Sequence, residues 1–119
     1  MIEDIFLVPT SGEFPVDEIE RYVGGLPHVF RATANPHVFL ISENEDQADY
    51  NRRKDAETPD AHPTSANLIK VYPARIDVSW RRQAFDQTRA FVRWMIEHHK
   101  PRVEDEEDND LTARVDSLF

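Results

Sequence analysis

The most informative hydrophobic pattern in this chain of 119 residues is that of residues 67–80, NLIKVYPARIDVSW. Apolar residues at every second position from Ala74 to Trp80 alternate with Arg75, Asp77 and Ser79. This alternation is typical of a strand with one buried and one solvated face. Pro73 interrupts the pattern and cannot donate a hydrogen bond to a neighbouring strand. We therefore expect a bulge, a bend or two successive strands within this stretch.

Directly after residue 80 the hydrophobic period changes from that of a strand to that of a helix. Between Arg81 and His99 the apolar side chains fall on one broad arc of a helical projection, and charged side chains occupy the opposite side. Pro101 cannot continue a helix. The sequence therefore predicts a helix over 81–99 with one packed face and one solvated face. The packed arc comprises Ala84, Phe85, Thr88, Phe91, Val92, Met95, Ile96 and His99.

Short apolar runs towards the N-terminus predict three more strands and a helix. Residues 5–8 form a buried strand, and residues 28–33 and 37–42 form an antiparallel hairpin across a short Asn-Pro connection. Val38–Ile41 has no polar alternate, which predicts a central strand covered on both faces. Residues 15–24 combine a helical apolar period with a proline at the start and glycines at the end, which predicts a helix.

The segment 43–66 is almost free of apolar residues. Ser42 and Glu45 have the spacing of a capping box, so a helix over 43–56 is plausible. Only Ala48, Tyr50 and Ala56 offer it apolar surface. A loop follows over 58–65. The whole segment could equally be a mobile excursion.

These elements occur in the order β-α-β-β-(α)-β-(β)-α, which predicts an α+β fold. The economical arrangement is a mostly antiparallel sheet of about four or five strands with helices packed on one face. The length suits a single domain, which we expect over residues 1–100. An acidic linker over 101–110 and a C-terminal docking segment over 111–119 then follow.

The composition excludes several classes of function. A formal net charge of −9 disfavours nucleic acid and anionic membrane surfaces as partners, since both would repel the protein. No cysteine is present, and no apolar run is long enough to span a bilayer. The first ten residues lack the basic character of a signal peptide, so we expect a cytoplasmic protein. In residues 101–119, seven carboxylates and two arginines leave a charge of −5.

The sequence contains no motif that predicts a catalytic residue, a metal ligand or a cofactor. His98 and His99 are adjacent and point about 100° apart on a helix, so they cannot chelate one ion together. The acidic run 104–110 does not fit a calcium-binding loop, because glycine is absent where the loop must turn. Three glycines in all cannot build a phosphate-binding loop.

Partner-binding residues are predicted at Trp94 and in the C-terminal segment. Trp94 lies outside the packed arc of the long helix, and a half-exposed tryptophan is typical of interfaces. Leu111, Val115, Leu118 and Phe119 repeat at helical spacing, but nine residues are too few for a helix alone in water. We expect the segment to dock either on its own domain or on a partner.

Two functions follow from these features. The leading hypothesis is a small, acidic, soluble, non-enzymatic protein-interaction domain, such as an immunity-type protein or an adaptor, whose partner is another protein of basic character. The alternative is an enzyme or small-ligand-binding protein with a site under the polar 43–66 segment. In that case Tyr50, Asp60 and His62, with Arg52 or Arg53, would face a pocket on the sheet.

Overall fold

The computed structural model describes residues 2–118, which form a six-stranded antiparallel sheet with three α-helices and one 3-10 helix. The elements are β1 (Asp4–Val8), α1 (Val16–Gly24), β2 (Val29–Arg31), β3 (Val38–Ile41), α2 (Glu45–Glu57), β4 (Asn67–Val71), β5 (Ile76–Ser79), α3 (Asp86–His99), β6 (Arg102–Glu104) and a 3-10 helix, α4 (Thr112–Ser117). The predicted α+β class is confirmed. None of the helices in residues 2–118 is long and apolar enough to cross a bilayer.

The strands lie in the order β2-β3-β4-β5-β1-β6, so β1 enters the sheet between its two latest strands. The stretch 67–80 forms two successive strands, β4 and β5, which pair with each other across a turn closed by Tyr72 N–H and the Arg75 carbonyl. Six strands exceed the predicted four or five. The additional one, β6, lies in the segment predicted as an acidic linker, and its three residues are too few to show an alternation.

One face of the sheet, here called the inner face, carries the main hydrophobic core. α1 contributes Ile19 and Val23, and α3 contributes Phe91, Val92 and Met95, all fully buried. The residues of the sheet that meet them are Ile5, Leu7, Phe39, Ile41, Ile69, Val71, Ile76, Val78 and Val103. The apolar faces of α1 and α3 therefore pack on the inner face of the sheet, as their amphipathic patterns predict.

α2 lies on the opposite, outer face, where Asn51 bonds to Ser42 at the end of β3 and Arg52 lies over Phe30 of β2, so the helices do not all lie on the predicted single face. All four residues of β3 are buried, which confirms that this strand is covered on both sides. The outer-face cluster is small: Ala32, Val38, Leu40 and Ala66, with Phe30 and Leu68 at its margin. α2 begins at Glu45, where Asn44 rather than Ser42 caps the helix by accepting a hydrogen bond from Gln47 N–H.

The long helix α3 starts at Asp86, five residues later than predicted. The side chain of Asn67 is the cause, because its Oδ1 accepts hydrogen bonds from Phe85 N–H at 2.9 Å and from the Thr88 hydroxyl at 2.6 Å. Its Nδ2 donates to the Gln83 carbonyl. Ala84 and Phe85 are thereby held in the core ahead of the first helical turn.

The C-terminal segment docks on its own domain. Leu111 and Val115 are buried in the main core, and Leu118 packs against it. Leu111 N–H donates to the Val103 carbonyl at 2.7 Å, which attaches the segment to β6. The division of the chain at residue 100 stays a prediction. Phe119 lies outside the described residues.

We expect replacement of Leu111 by alanine to lower the free energy of unfolding by about 3 kcal/mol, because a buried leucine is removed and a cavity remains. Chemical denaturation followed by circular dichroism measures the change. Ser117→Ala, in the same segment but exposed, serves as the control and should change stability by less than about 0.5 kcal/mol. An unchanged midpoint for Leu111→Ala would show that the segment does not dock in cis.

Candidate functional site

The outer face of the sheet is divided into a covered half and an open half. On β3 the outer-face side chains Val38 and Leu40 are buried, whereas the outer-face residues of β5, β1 and β6 all remain at least partly exposed. Phe6 is half-buried there, beneath the Arg75 guanidinium at 4.6 Å from its ring. Arg75 pairs with Asp77 at 2.8 Å, and Arg102 with Glu104 at 2.9 Å. Ion pairs therefore form the surface of the open half.

α2 is attached to the sheet mainly by hydrogen bonds. Its buried face consists of Ala48, Asn51 and Asp55, which recur at helical spacing. Asn51 Nδ2 donates to the Ser42 hydroxyl at 2.9 Å, and Asn51 Oδ1 accepts from Gln47 and from Ser65. These bonds replace the apolar packing that the sequence of this helix cannot provide.

Asp55 is the most deeply buried carboxyl group in the described chain, with 2% of its surface exposed. Its Oδ2 accepts hydrogen bonds from the Thr33 backbone N–H at 2.8 Å and from the Thr33 hydroxyl at 2.7 Å. Its Oδ1 faces Nδ1 of His62 at 4.0 Å, and both atoms are buried without a hydrogen-bond partner. The Asp55 carboxylate therefore lies on the Nδ1 side of the imidazole ring.

A cavity of about 480 Å³, here called the α2–loop cavity, lies between α2 and the loop 58–65. It lies within the range of about 300–1,000 Å³ typical of small-molecule sites. Its lining residues are Gln47, Tyr50, Lys54, Thr58, Ala61, His62, Pro63, Thr64, Ser65 and Arg82. The cavity therefore combines cationic, hydroxyl and aromatic groups, and no carboxylate lines it.

A wider groove of about 980 Å³ continues from the α2–loop cavity across the sheet. His62 and Arg82 line both. The groove also receives Lys70 from β4 and reaches Glu3 and Asp4 at the start of β1. It thus connects the basic wall around Arg82 with an acidic region at the far end of the open half.

That acidic region, here called the acidic end, consists of Glu3, Asp4, Asp105, Glu106 and Glu107 around a small depression. Asp105 is held in a turn, where it accepts hydrogen bonds from Glu107 N–H, Asn109 N–H and Asn109 Nδ2. The bonds from Asn109 lower the pKa of Asp105. By contrast, a hydrogen bond shared with Asp4 and the charge of Asp4 raise the pKa of Glu106.

The residues predicted to bind a partner lie apart from these features. Trp94 is half-buried and stacks on Tyr22 of α1, with ring centroids 4.1 Å apart and planes 6° apart. His98 and His99 lie against the other parts of its ring. Leu111 and Val115 are buried in the core. The partner-binding role of Trp94, Leu111, Val115, Leu118 and Phe119 stays a prediction.

Of the residues predicted to face a pocket, Tyr50 and His62 line the α2–loop cavity, and Asp60 and His62 line the groove. Arg52 instead pairs with Asp49 and lies over Phe30, and Arg53 lines neither space. Sequence reasoning missed Asp55. Its helical spacing with Ala48 and Asn51 is the signal that identifies the inward face of α2. Within residues 2–118, no group of three histidine or acidic side chains is placed to hold a metal ion.

Replacement of Asp55 by alanine should reduce the free energy of unfolding by at least about 2 kcal/mol, because Thr33 loses its acceptor and a buried space opens. Asp49→Ala on the exposed face of the same helix removes only a surface ion pair with Arg52, and we expect a change below about 1 kcal/mol. Urea titrations of both variants measure the difference. Equal effects would show that Asp55 does not hold α2.

No family model matches the chain, and neither the curated proteins nor the solved structures contain a significant match.

Proposed function

We propose that the protein is a cytoplasmic, non-enzymatic interaction domain that binds a basic protein partner on the open half of the outer face and the acidic end. An immunity-type protein or an adaptor would act in this way. The observation that carries the proposal is the convergence of five carboxylates from the start of β1 and the turn after β6 on one surface. A partner of positive charge complements that surface.

Within the acidic end, Glu106 occupies an electrostatically unfavourable position in the isolated protein. Within residues 2–118, none of its five carboxylates has a cation within ion-pair distance. Glu106 and Asp4 are instead close enough to share a hydrogen bond, which raises the pKa of Glu106. Like charges brought together in this way reduce stability. A basic partner would remove the repulsion on binding.

The adjoining sheet surface supports the same proposal. Phe6 and Val8 are half-buried on the open half and offer apolar area next to the charges. The cations beside them, Arg75 and Arg102, are already neutralised by Asp77 and by Glu104. The open half therefore combines partly exposed apolar side chains with an unneutralised acidic margin. The negative field of such a margin accelerates encounter with a positive partner.

Neutralising Glu106 should stabilise the isolated protein. The raised pKa means that the folded state holds this proton more tightly than the unfolded state. The destabilisation caused by Glu106 is therefore absent at pH below its ordinary pKa and appears as the pH rises through the folded pKa. We expect Glu106→Gln to raise the melting temperature slightly at pH 7 and to leave it unchanged at pH 3.5.

The control for this measurement is Glu43→Gln, since Glu43 is exposed and makes no contact with another charged group in the described chain. Thermal melts of the three proteins across pH 3–8 give the comparison. If Glu106→Gln were destabilising at pH 7, the acidic end would not be a site of unrelieved repulsion.

The docking surface can be tested with a defined basic probe, a peptide of eight lysines. We expect NMR titration to shift the amides of residues 3–8 and 102–107, with an affinity that falls as salt is raised from 20 to 200 mM. Asp4→Asn with Glu106→Gln should weaken binding about fivefold or more. Glu45→Gln with Asp46→Asn, which removes two charges from α2, should have little effect. Shifts spread evenly over all acidic surfaces would contradict the proposal.

A further inference from the structure

We propose that the α2–loop cavity is a second binding site, for a small organic anion that carries a phosphate or carboxylate group next to a flat ring. Arg82 and Lys54 would neutralise the anion, His62 would donate a hydrogen bond to it, and Tyr50 would stack on the ring. This site is separate from the surface proposed for the basic partner, and neither proposal depends on the other.

The charge of the cavity is the first support. The protein has 23 acidic residues and a net charge of −9, yet no carboxylate lines this cavity, whereas Lys54, His62 and Arg82 do. Lys54 Nζ lies 3.6 Å from Glu57, an exposed pair that contributes little stability. Arg82 has neither an ion pair nor a hydrogen bond with any residue of 2–118. An exposed guanidinium with its donors unused suits a phosphate or a carboxylate.

The orientation of His62 is the second support. Asp55, fixed by two hydrogen bonds from Thr33, faces Nδ1 of the imidazole from within α2. A quarter of the His62 side-chain surface remains exposed, and the ring lines the cavity. A buried carboxylate behind one ring nitrogen leaves the other ring nitrogen to meet an anion in front of the ring. Asp55 thus acts as a positioning residue for His62.

The third support is Tyr50, the one large hydrophobic residue of 2–118 that is exposed, with 44% of its surface accessible. Its ring lies on the cavity wall, and Lys54 Nζ is 5.6 Å from the ring centre. An aromatic ring beside a cation can receive the flat part of a ligand while the cation meets its charge. The hydroxyl group of Thr64, which bonds to no other residue of 2–118, offers a further hydrogen bond. Together these groups favour an anion with an aromatic or similar planar part.

The test is an NMR titration of the full chain with phenyl phosphate, inorganic phosphate, benzoate and acetate. We expect saturable shifts of residues 47–65 and 82 with at least one ring-bearing anion, at least about threefold tighter than with its ringless counterpart. Tighter binding of phenyl phosphate assigns a phosphate ligand, and tighter binding of benzoate assigns a carboxylate. The absence of saturation by all four probes at 20 mM would overturn the proposal, as would saturation at residues outside the cavity.

Variants assign the contacts. Arg82→Gln should weaken the best probe about tenfold, the effect of one charge-assisted hydrogen bond, and His62→Asn should also weaken it. Arg93→Gln is the matched control, since Arg93 is an exposed arginine on α3 without a partner in the described chain. Circular dichroism melts verify that each variant is folded. Equal affinities of the Arg82 and Arg93 variants would show that the cavity does not select the anion.

Discussion

The burial of β3 on both faces is the constraint on which the rest of the structure depends. Four consecutive apolar residues, Val38–Ile41, cannot face water on either side, so each face of the sheet needs a covering layer. α1 and α3 cover the inner face with ordinary apolar packing. The outer face must be covered by α2, whose sequence has little apolar surface. Hydrogen bonds of Asn51 to Ser42 and of Asp55 to Thr33 therefore attach α2 to the sheet in place of extensive apolar packing.

Because β3 lies near one end of the sheet, the helix that covers it leaves β5, β1 and β6 uncovered on the outer face. The remaining strands present ion pairs and half-buried apolar side chains instead. The same arrangement creates the α2–loop cavity, since the chain must return from the end of α2 to β4 around a polar helix. Both proposed binding surfaces thus follow from the covering of β3 by α2, a helix with little apolar surface.

Helical periodicity was enough to predict α1 and α3. The continuous apolar run of β3 predicted its burial, the Asn-Pro connection predicted the hairpin, and the order of the elements predicted the α+β class. The helix start at Asp86 and the position of α2 were not predictable, because they depend on side chains distant in the sequence, Asn67 and Thr33. β6 was missed because two of its three residues, Arg102 and Glu104, are charged, as is typical of a solvated linker. Tyr50 and His62 were identified as candidates because their segment is polar. Asp55 was not, because in the sequence a buried aspartate of a polar helix cannot be told from a solvated one.

The position of β1 between β5 and β6 has a consequence for the order of folding. β2 to β5 follow one another along the chain and in the sheet, so their pairing closes only short loops, apart from the one that contains α2. β1 meets its first partner about seventy residues later, a contact of much greater loop-closure cost. We therefore expect β1 and β6 to join a sheet that is already formed. The like charges of the acidic end would then be brought together in the last step, when the rest of the domain is in place to hold them.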